Sequence, residues 1–449
     1  MTKRASVFMA VMLFGPLALE LHAETLTLGD VERRAVTQAF EARAQHFEER
    51  SKAWAKRRAI AEYMPSVRYT TTYLRMYEKT VEEANRAFES MFPPSVPMPR
   101  NPNRLYEDSF SHEISVNQPI TNGGAEIISI RMAELGKKAA QLQQEAVKQE
   151  VIYSARKAYF DALAAAERTA VARQSLAWSK QNLERSRTRH EAGAVPYTDL
   201  LQWEAEVVQK ESDLVAAEAL ERSALLALFQ AMGYAPHEAD TSIELLPLET
   251  FEQWYQKGPA SMVGSVEGSP QLQAIRTLTK VAKELRNLAL SGFLPKVNVF
   301  YAYSWQAWDK LKPQDYGKGW TAGVVLDIPL FAGTRNSANY RESQYNYLKG
   351  LVEERRVHNQ FEVNLERIAL MYGAAYQAVK AAHKQHELMD KQLAIMQKRY
   401  DGGQVNQSQL LEVALGVEQT RIGYIQKLLE CLLLEAEQLR ATGKLEVTP

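Results

Sequence analysis

The sequence has almost no cysteine, no excess of charge and, beyond its first residues, no long apolar run. Cys431 is the single cysteine among 449 residues, so no disulfide can form within the chain. Lys and Arg number 54 and Asp and Glu also number 54, and this balance argues against a nucleic-acid partner. No run of 18 apolar residues occurs, so we predict no transmembrane helix.

Recognisable enzyme motifs are also missing. The chain has no phosphate-binding glycine loop and no G-x-S-x-G segment. Its best candidate for a metal site is His383 with His386, followed by Glu387, and such a pair more often consists of surface or packing residues. We therefore expect a protein that is not an enzyme, with no catalytic residue, no cofactor and no bound metal.

The N-terminus indicates export. Lys3 and Arg4 precede the apolar run at 7–19, and Ala23 is a small residue suited to a cleavage site. This is the pattern of a secretory signal peptide, which we place at 1–23. No cysteine lies near the cleavage point, so we expect no N-terminal lipid anchor.

Most of the remaining chain is a tandem duplication. The sequence RHEAGAVPYTDLL, which begins at Arg189, reappears as RYDGGQVNQSQLL at Arg399, an offset of 210 residues. The segments QPITNGG at Gln118 and IPLFAGT at Ile328 share that offset, whereas YMPSVRY and FLPKVNV are 230 residues apart. Offsets maintained over this length indicate two copies of one structural unit.

Two segments in each half alternate apolar and polar side chains. One face of each segment is apolar and rich in aromatic rings, which is typical of a half-buried or lipid-facing strand. We predict strands at 66–77, 109–120, 296–305 and 320–330. Proline marks one end of every strand, and two hairpins would bring all four prolines to the rim where strands meet helices. These junction residues are Pro65, Pro119, Pro295 and Pro329.

A long helix and a returning helix are predicted after each hairpin. The stretches 125–189 and 335–399 contain no proline, and a helix of this length extends about 98 Å at 1.5 Å per residue. Gly193 and Gly403 then mark turns. A heptad pattern in the returning helices predicts a seam, which includes Leu201, Val208, Val215, Leu415, Leu429 and Ala436.

These patterns divide the chain into consecutive segments. In the first half we predict an N-terminal helix, a β-hairpin with a long external loop, and a long helix with tip turn and returning helix at 24–64, 65–119 and 120–233. An irregular equatorial connector is predicted at 234–269. The second half repeats the three segments and adds a tail, at 270–294, 295–329, 330–443 and 444–449.

Four strands cannot close a barrel in lipid, where every backbone polar group must be paired. Known barrels start near eight strands, so counting strands permits two copies of this chain or three. With its doubled order of elements, its two proline junctions and its two turn sequences, the chain resembles the TolC family of outer-membrane efflux and secretion ducts. The resemblance covers nearly the whole mature chain.

The resemblance implies an α+β fold with two parts. Tandem-duplicated long helices would form a coiled-coil barrel, and a homotrimer would assemble a transmembrane β-barrel of 12 strands, four from each chain. The protein would lie in the outer membrane and extend into the periplasm. Its expected partners are its own copies, outer-membrane lipid, a periplasmic adaptor protein and, through the adaptor, an inner-membrane pump. The implied function is a passive duct of a tripartite efflux or type I secretion system.

The resemblance also places the two turns at the periplasmic tip. An adaptor would contact Gly193, Ala194, Val195, Gly403, Gln404 and Val405. The same residues would serve to close two helical hairpins, and both roles are compatible.

The family closes its tip with carboxylates six and nine residues after the second glycine. Here those positions are Gln409 and Glu412, so one acid is missing, and Asp199, six residues after Gly193, would replace it. We predict a pore constriction formed by Asp199 and Glu412. The alternative is that both are solvated acids near helix N-termini.

An exported coiled-coil structural or adhesion protein is the alternative function. The long helices fit such a rod. Strands with an aromatic face do not fit it, because a soluble rod has no apolar surroundings for them. The sequence therefore favours the duct.

Overall fold

The computed structural model describes residues 25–91, 105–235, 243, 245–246, 251–308 and 317–448. Within these residues the helices are α1 (Leu28–Gln38), α2 (Phe40–Ala61), α3 (Glu78–Glu89), α4 (Ala125–Glu191), α5 (Tyr197–Ala231), α6 (Phe251–Lys257), α7 (Pro270–Leu290), α8 (Arg335–Asp401) and α9 (Gln407–Ala441). The strands are β1 (Ser66–Arg75), β2 (Asp108–Asn122), β3 (Lys296–Trp308) and β4 (Gly317–Asp327). Among the described residues, no helix combines the length and apolar character needed to cross a membrane.

The helices repeat the duplication of the sequence. Helices α4 and α8 each contain 67 residues, two more than predicted at the C-terminal end. Helices α5 and α9 each contain 35 residues. The boundaries of α8 and α9 lie 210 residues after those of α4 and α5, so these two sequence copies adopt the same local structure.

The chain forms two compact units, and each draws on both sequence copies. Unit 1 comprises Met1–Arg43, Val147–Gly264 and Asn364–Pro449. Unit 2 comprises Ala44–Ala146 and Ser265–Val363. The predicted signal peptide, both hairpin tips at 92–104 and 309–316, and most of the connector between 236 and 250 lie outside the described residues.

Unit 2 contains one antiparallel sheet with the strand order β1-β2-β3-β4. The predicted alternation is confirmed by the register, which places Tyr69, Ile114, Tyr303 and Trp320 in one row across the four strands. Aromatic rings therefore share one face, as cross-strand neighbours should. All ten residues of β1 are exposed, and β1 and β4 are the open edges of the sheet.

Strand β2 is longer than predicted. We expected it to end near Pro119, but it continues to Asn122 through a bulge between Pro119 and Thr121. The reason is the neighbouring strand, because Thr121 lies opposite Val297 in β3 and Asn122 lies opposite Lys296. Proline lacks a backbone N–H, and a bulge is one of the few places where a strand tolerates that loss.

The N-terminal helix predicted at 24–64 is broken into α1 and α2. Ala39 adopts an extended conformation between α1 and α2, with φ −55° and ψ 137°. The turn after α5 is packed against this break, since a Cβ on Gly233 would lie 2.4 Å from the carbonyl oxygen of Gln38. Helix α3 begins at Glu78 after an N-cap at Tyr77, without a side-chain cap.

The largest core lies in unit 1, where α1, α4, α5 and α9 meet. Its buried side chains include Val31, Tyr159, Leu228, Phe229 and Leu429. The Tyr159 hydroxyl donates to the carbonyl oxygen of Leu246 at 2.8 Å. Burial raises the pKa of Tyr159 to about 12, so this phenol stays neutral and keeps its donor.

The heptad seam predicted for α5 is wrong for packing within the chain. Leu201, Val208 and Val215 are 45%, 67% and 67% exposed. The buried stripe lies one residue away, at Leu200, Trp203, Val207 and Lys210. The two sets share a period of seven residues, so periodicity alone does not decide which stripe meets a neighbour. In α9 the predicted seam residues Leu429 and Ala436 are buried, whereas Leu415 is exposed.

Candidate functional site

The turn between α4 and α5 is closed by backbone hydrogen bonds. The N–H of Gly193 donates to the carbonyl oxygen of His190 at 2.8 Å, and that of Ala194 donates to Arg189 at 2.8 Å. Gly193 has a φ of 73°, which is the left-handed conformation of a Schellman helix end. A Cβ on Gly193 would meet no atom within 4 Å, so glycine is favoured by backbone conformation rather than by space.

The turn between α8 and α9 has the same geometry. The N–H groups of Gly403 and Gln404 donate to Tyr400 and Arg399 at 3.0 and 2.9 Å, and Gly403 has a φ of 71°. Both turns lie in unit 1 and expose their glycines. The duplicated turn sequences therefore encode one conformation twice.

The two returning helices begin differently. At α9 the Asn406 side chain accepts the N–H of Gln409 at 2.9 Å, and the Gln409 side chain accepts the N–H of Asn406 at 3.1 Å. This reciprocal capping box uses the Gln409 side chain to close the start of α9. Helix α5 begins after Pro196 without a side-chain cap, and Asp199 provides negative charge in its first turn.

Arg189 joins the ends of α4 and α8. Its Nη2 donates to the carbonyl oxygen of Asp401 at 2.9 Å, and its Nη1 donates to that of Tyr400 at 3.3 Å. The guanidinium also lies 3.6 Å from the Asp401 carboxylate and 5.4 Å from the centre of the Tyr400 ring. A cation at a helix C-terminus satisfies carbonyl groups that have no helical partner, so Arg189 fixes one turn relative to the other.

An aromatic cluster lies behind the turns. Trp203 is fully buried, and its Nε1 lies 3.3 Å from the hydroxyl of buried Tyr400. The Trp178 ring meets Trp203 edge-on with 5.5 Å between centroids. Gln407 is 3% exposed, and directing its amide nitrogen to the Asp199 carbonyl oxygen at 3.0 Å lets its oxygen accept from Trp203. The starts of α5 and α9 are thereby joined.

The two predicted constriction residues have different surroundings. The Asp199 side chain is half-buried, whereas Glu412 is exposed. In the part of the chain that the structure describes, neither carboxylate has a hydrogen bond or an ion pair, and no contact joins them. Only the backbone carbonyl of Asp199 takes part in the network behind the turns. Both acids are free to interact with solvent or ions.

The sequence analysis did not single out Lys210, although this residue continues the buried stripe of α5. It is 6% exposed, and its Nζ lies 2.8 Å from Glu418 in α9. Glu206 and Asp213 lie 3.9 and 3.8 Å from the same nitrogen. A buried ammonium needs such partners. The available signal was a lysine at the three-four spacing of Leu200, Trp203 and Val207.

The four junction prolines lie at one end of the sheet. Pro65 and Pro295 directly precede β1 and β3, and Pro329 follows β4. Beyond Pro119 the chain turns into α4 at Gly123, whose φ is 69°. A Cβ on Gly123 would lie 2.6 Å from the carbonyl oxygen of Ser291, so only glycine fits this close approach.

The His383–His386 pair is accounted for by packing. The His383 ring stacks on Phe251 with 3.7 Å between centroids and 6° between planes. Burial lowers the pKa of His386. Two lysines, Lys384 and Lys391, bind the Glu387 carboxylate and lower its pKa to about 2. No group of three His, Cys, Asp or Glu side chains suited to a metal ion occurs among the described residues.

A polar cluster in unit 2 joins a short 3₁₀ turn to α7 and α8. The Glu267 carboxylate binds the Arg276 guanidinium and lies 3.1 Å from Nε2 of His358. These partners hold the pKa of Glu267 at about 2, although the carboxylate is exposed. The contacts of Glu267 with Arg276 and His358 therefore hold the residues that precede α7 against α7 and α8.

The sequence is similar to a known protein family and to two of its members. A family model described as "Outer membrane efflux protein" matches residues 95–234 and 265–441. The chain is 24% identical to the outer membrane protein TolC of Vibrio cholerae over 49% of its own length and 51% of that protein, so the match spans about half of this relative. It is 22% identical to the outer membrane efflux protein BepC of Brucella suis over 83% of this chain and 81% of that protein.

Solved structures share the fold. The CmeC outer membrane channel of Campylobacter jejuni has a TM-score of 0.77 at 15% identity, covering 94% of this chain and 87% of that chain. The outer membrane protein VceC of Vibrio cholerae has a TM-score of 0.74 at 14% identity, covering 93% of this chain and 96% of that chain. At such identities the similarity shows the fold alone.

Proposed function

Because the chain belongs to the outer membrane efflux protein family, we propose that it is the outer-membrane duct of a tripartite efflux or type I secretion system. The predicted resemblance to TolC-like channels and the predicted location in the outer membrane, reaching into the periplasm, are confirmed by this family. The predicted architecture of long helices with four strands per chain is confirmed too. An exported structural or adhesion rod is not favoured. The family consists of channel proteins rather than enzymes.

The observation that carries the proposal is the sheet of unit 2. It has an aromatic face, and among the described residues no strand pairs with its β1 and β4 edges. Open edges are not tolerated in lipid, because no water is present to bind the N–H and C=O groups. Several copies must therefore join edge to edge. We propose a homotrimer with 12 strands, which rests on the family rather than on strand counting.

The turns at Gly193 and Gly403 are the proposed contact with a periplasmic adaptor, which in turn links the duct to an inner-membrane pump. Two features support this role. The glycines and the residues that follow them are largely exposed, and Arg189 fixes both turns in one arrangement. A surface that is ordered before binding loses less entropy when a partner binds.

Asp199 and Glu412 are the proposed pore constriction. Their free carboxylates support this role, since three copies would turn each acid into a ring that attracts cations. No chemical step is required of the chain, because the pump would supply the energy.

Ion currents through the purified protein in planar bilayers test both proposals. We expect cation-selective channels, and Asp199→Ala combined with Glu412→Ala should raise conductance and reduce the cation preference. The matched control is Glu218→Gln, which removes an exposed acid paired with Arg173 on the helices far from the turns. Unchanged currents in the double variant would remove the constriction assignment. A protein that forms no channel at all would contradict the duct.

A further inference from the structure

The two hairpins of the sheet have the same register. In the first, Val67 lies opposite Val116. In the second, Val297 lies opposite Leu326. These are equivalent positions of the duplication, because β3 follows β1 by 230 residues and β4 follows β2 by 210. The duplication therefore preserves strand pairing as well as sequence.

The contact between hairpins occurs once within the chain, at β2–β3. The β1–β2 ladder stops at Asn117, so the last part of β2, residues 118–122, pairs with β3 alone. The equivalent segment after β4 is 328–332. It has no neighbouring strand in the described chain, and β4 ends at Asp327. Residues 118–122 form a strand beside β3, whereas the equivalent residues 328–332 have no neighbouring strand among the residues that the structure describes and form none.

The segment after β4 is also strongly apolar at its surface. Leu330 is 91% exposed and Phe331 is 89% exposed. In the first copy the equivalent positions, Ile120 and Thr121, lie at the bulge beside β3, where Thr121 is opposite Val297. Two adjacent large apolar side chains with this exposure indicate a surface that another molecule covers.

We propose that residues 328–332 extend β4 when β1 of a second copy lies beside it, in the register of the β2–β3 ladder. In that ladder Val116 lies opposite Tyr301. The equivalent pair between copies is Leu326 with Thr71 of the second copy. Leu330 is then the bulged residue, and Phe331 lies opposite Val67 of the second copy. This inference rests on the proposed assembly of several copies.

The chemistry of the two edges agrees with this register. Leu326 is in register with Val297 and Thr71 with His112, so both lie on the face that carries the aromatic rows. A shift by one residue would move every side chain of β1 to the wrong face, because strands alternate with a period of two. Only shifts by an even number of residues compete.

Disulfide cross-linking between copies tests the register. In a Cys431→Ala background, Leu326→Cys is combined with Thr71→Cys, and the protein is oxidised in outer membranes. Directly opposed residues have Cα atoms about 4.5–5.5 Å apart, which a disulfide spans, whereas diagonal neighbours at roughly 7–8 Å are too far. We expect the yield of linked chains to be at least about fivefold higher than for L326C with Tyr69→Cys or Tyr73→Cys.

A second cysteine pair tests the same register in case the first pair disturbs folding locally. Ile114 lies opposite Tyr303 in β2–β3, so Val324→Cys with Y73C should cross-link in the same register. L326C alone, at the same level in the membrane, is the control for chance collisions.

The outcomes separate this inference from the proposed function, because native mass is measured on the same preparations. Preferred linkage of L326C with Y69C or Y73C would show a shifted register and overturn the inference while the assembly stands. Several copies without any linkage would show that β1 and β4 of neighbouring copies are not paired in this register, which also overturns it. A single copy would contradict the proposed function itself.

Discussion

The buried Lys210 offers a quantitative test of how α5 and α9 are held together. The change is Glu418→Met, alone and together with Lys210→Met. Glu418 lies 2.8 Å from the ammonium and is the only one of its three acidic neighbours that comes from another helix. Its loss leaves a nearly buried charge with two acids at the weaker distances of 3.8 and 3.9 Å.

The expected magnitude follows from the cost of an unpaired buried charge. Breaking a buried pair on one side costs about 3–5 kcal/mol, and we expect about 3 kcal/mol here because two acids remain. Replacing both partners by apolar side chains of similar size is nearly neutral in comparable cases. The double variant K210M/E418M should therefore be within about 1 kcal/mol of the natural protein, and more stable than E418M.

Thermal unfolding of the detergent-extracted protein, followed by helical circular dichroism, measures the difference. For a unit of this size 1 kcal/mol corresponds to about 2 °C, so E418M should unfold about 6 °C lower. The matched control is Glu206→Gln, whose carboxylate lies 3.9 Å from the lysine within α5 and should have a smaller effect. If the loss of stability in the double variant equals the sum of the losses in K210M and E418M, the two side chains are not coupled and this expectation is contradicted.

Three further predictions concern the turns and the polar cluster. Gly403→Ala should lower stability by about 1–2 kcal/mol, because alanine is strained at positive φ. Gly403→Asn should lower it less, and equal unfolding temperatures of the two variants would contradict this. Arg189→Ala should speed limited cleavage at the turns by a protease that does not cleave after Arg or Lys, whereas Arg187→Ala, which loses an ion pair within α4, should not. The depressed pKa of Glu267 predicts stability that is present above its ordinary value of 4.5 and lost as the pH falls towards 2. Glu267→Gln should flatten the dependence of unfolding temperature on pH between 5 and 3, and an unchanged slope would argue against it.

The long elements were accessible from the sequence because each has one dominant signal. Helices α4 and α8 lack proline over their length. The strands alternate strictly, and the register of Tyr69 with Ile114 confirms the face that alternation assigned. The duplication strengthened these signals by presenting each of them twice.

The sequence alone does not predict features that depend on contacts between distant segments of the chain. The seam through Leu201 and Val208 has the correct period, but Trp203 lies on the stripe that meets another helix, and only tertiary packing selects between the two. The break at Ala39 depends on Gly233, which is distant in sequence. Likewise, β2 runs past Pro119 because β3 lies beside it.

Only part of the candidate site could be predicted from the sequence. Both glycine turns could be located from the repeat, and the structure gives them the same hydrogen bonds. The partners of Asp199 and Glu412 could not be derived from one chain, since a ring exists only in an assembly. Arg189 was part of the repeated motif, but its contact with Asp401 requires the two hairpins to be adjacent in space.

The mass of the natural protein, extracted from outer membranes in mild detergent and measured by light scattering or native mass spectrometry, tests the proposed duct most directly. We expect three copies of the mature chain, whose β1 and β4 edges are all paired in one closed barrel. A single copy would leave both edges open in lipid and would contradict the proposed duct.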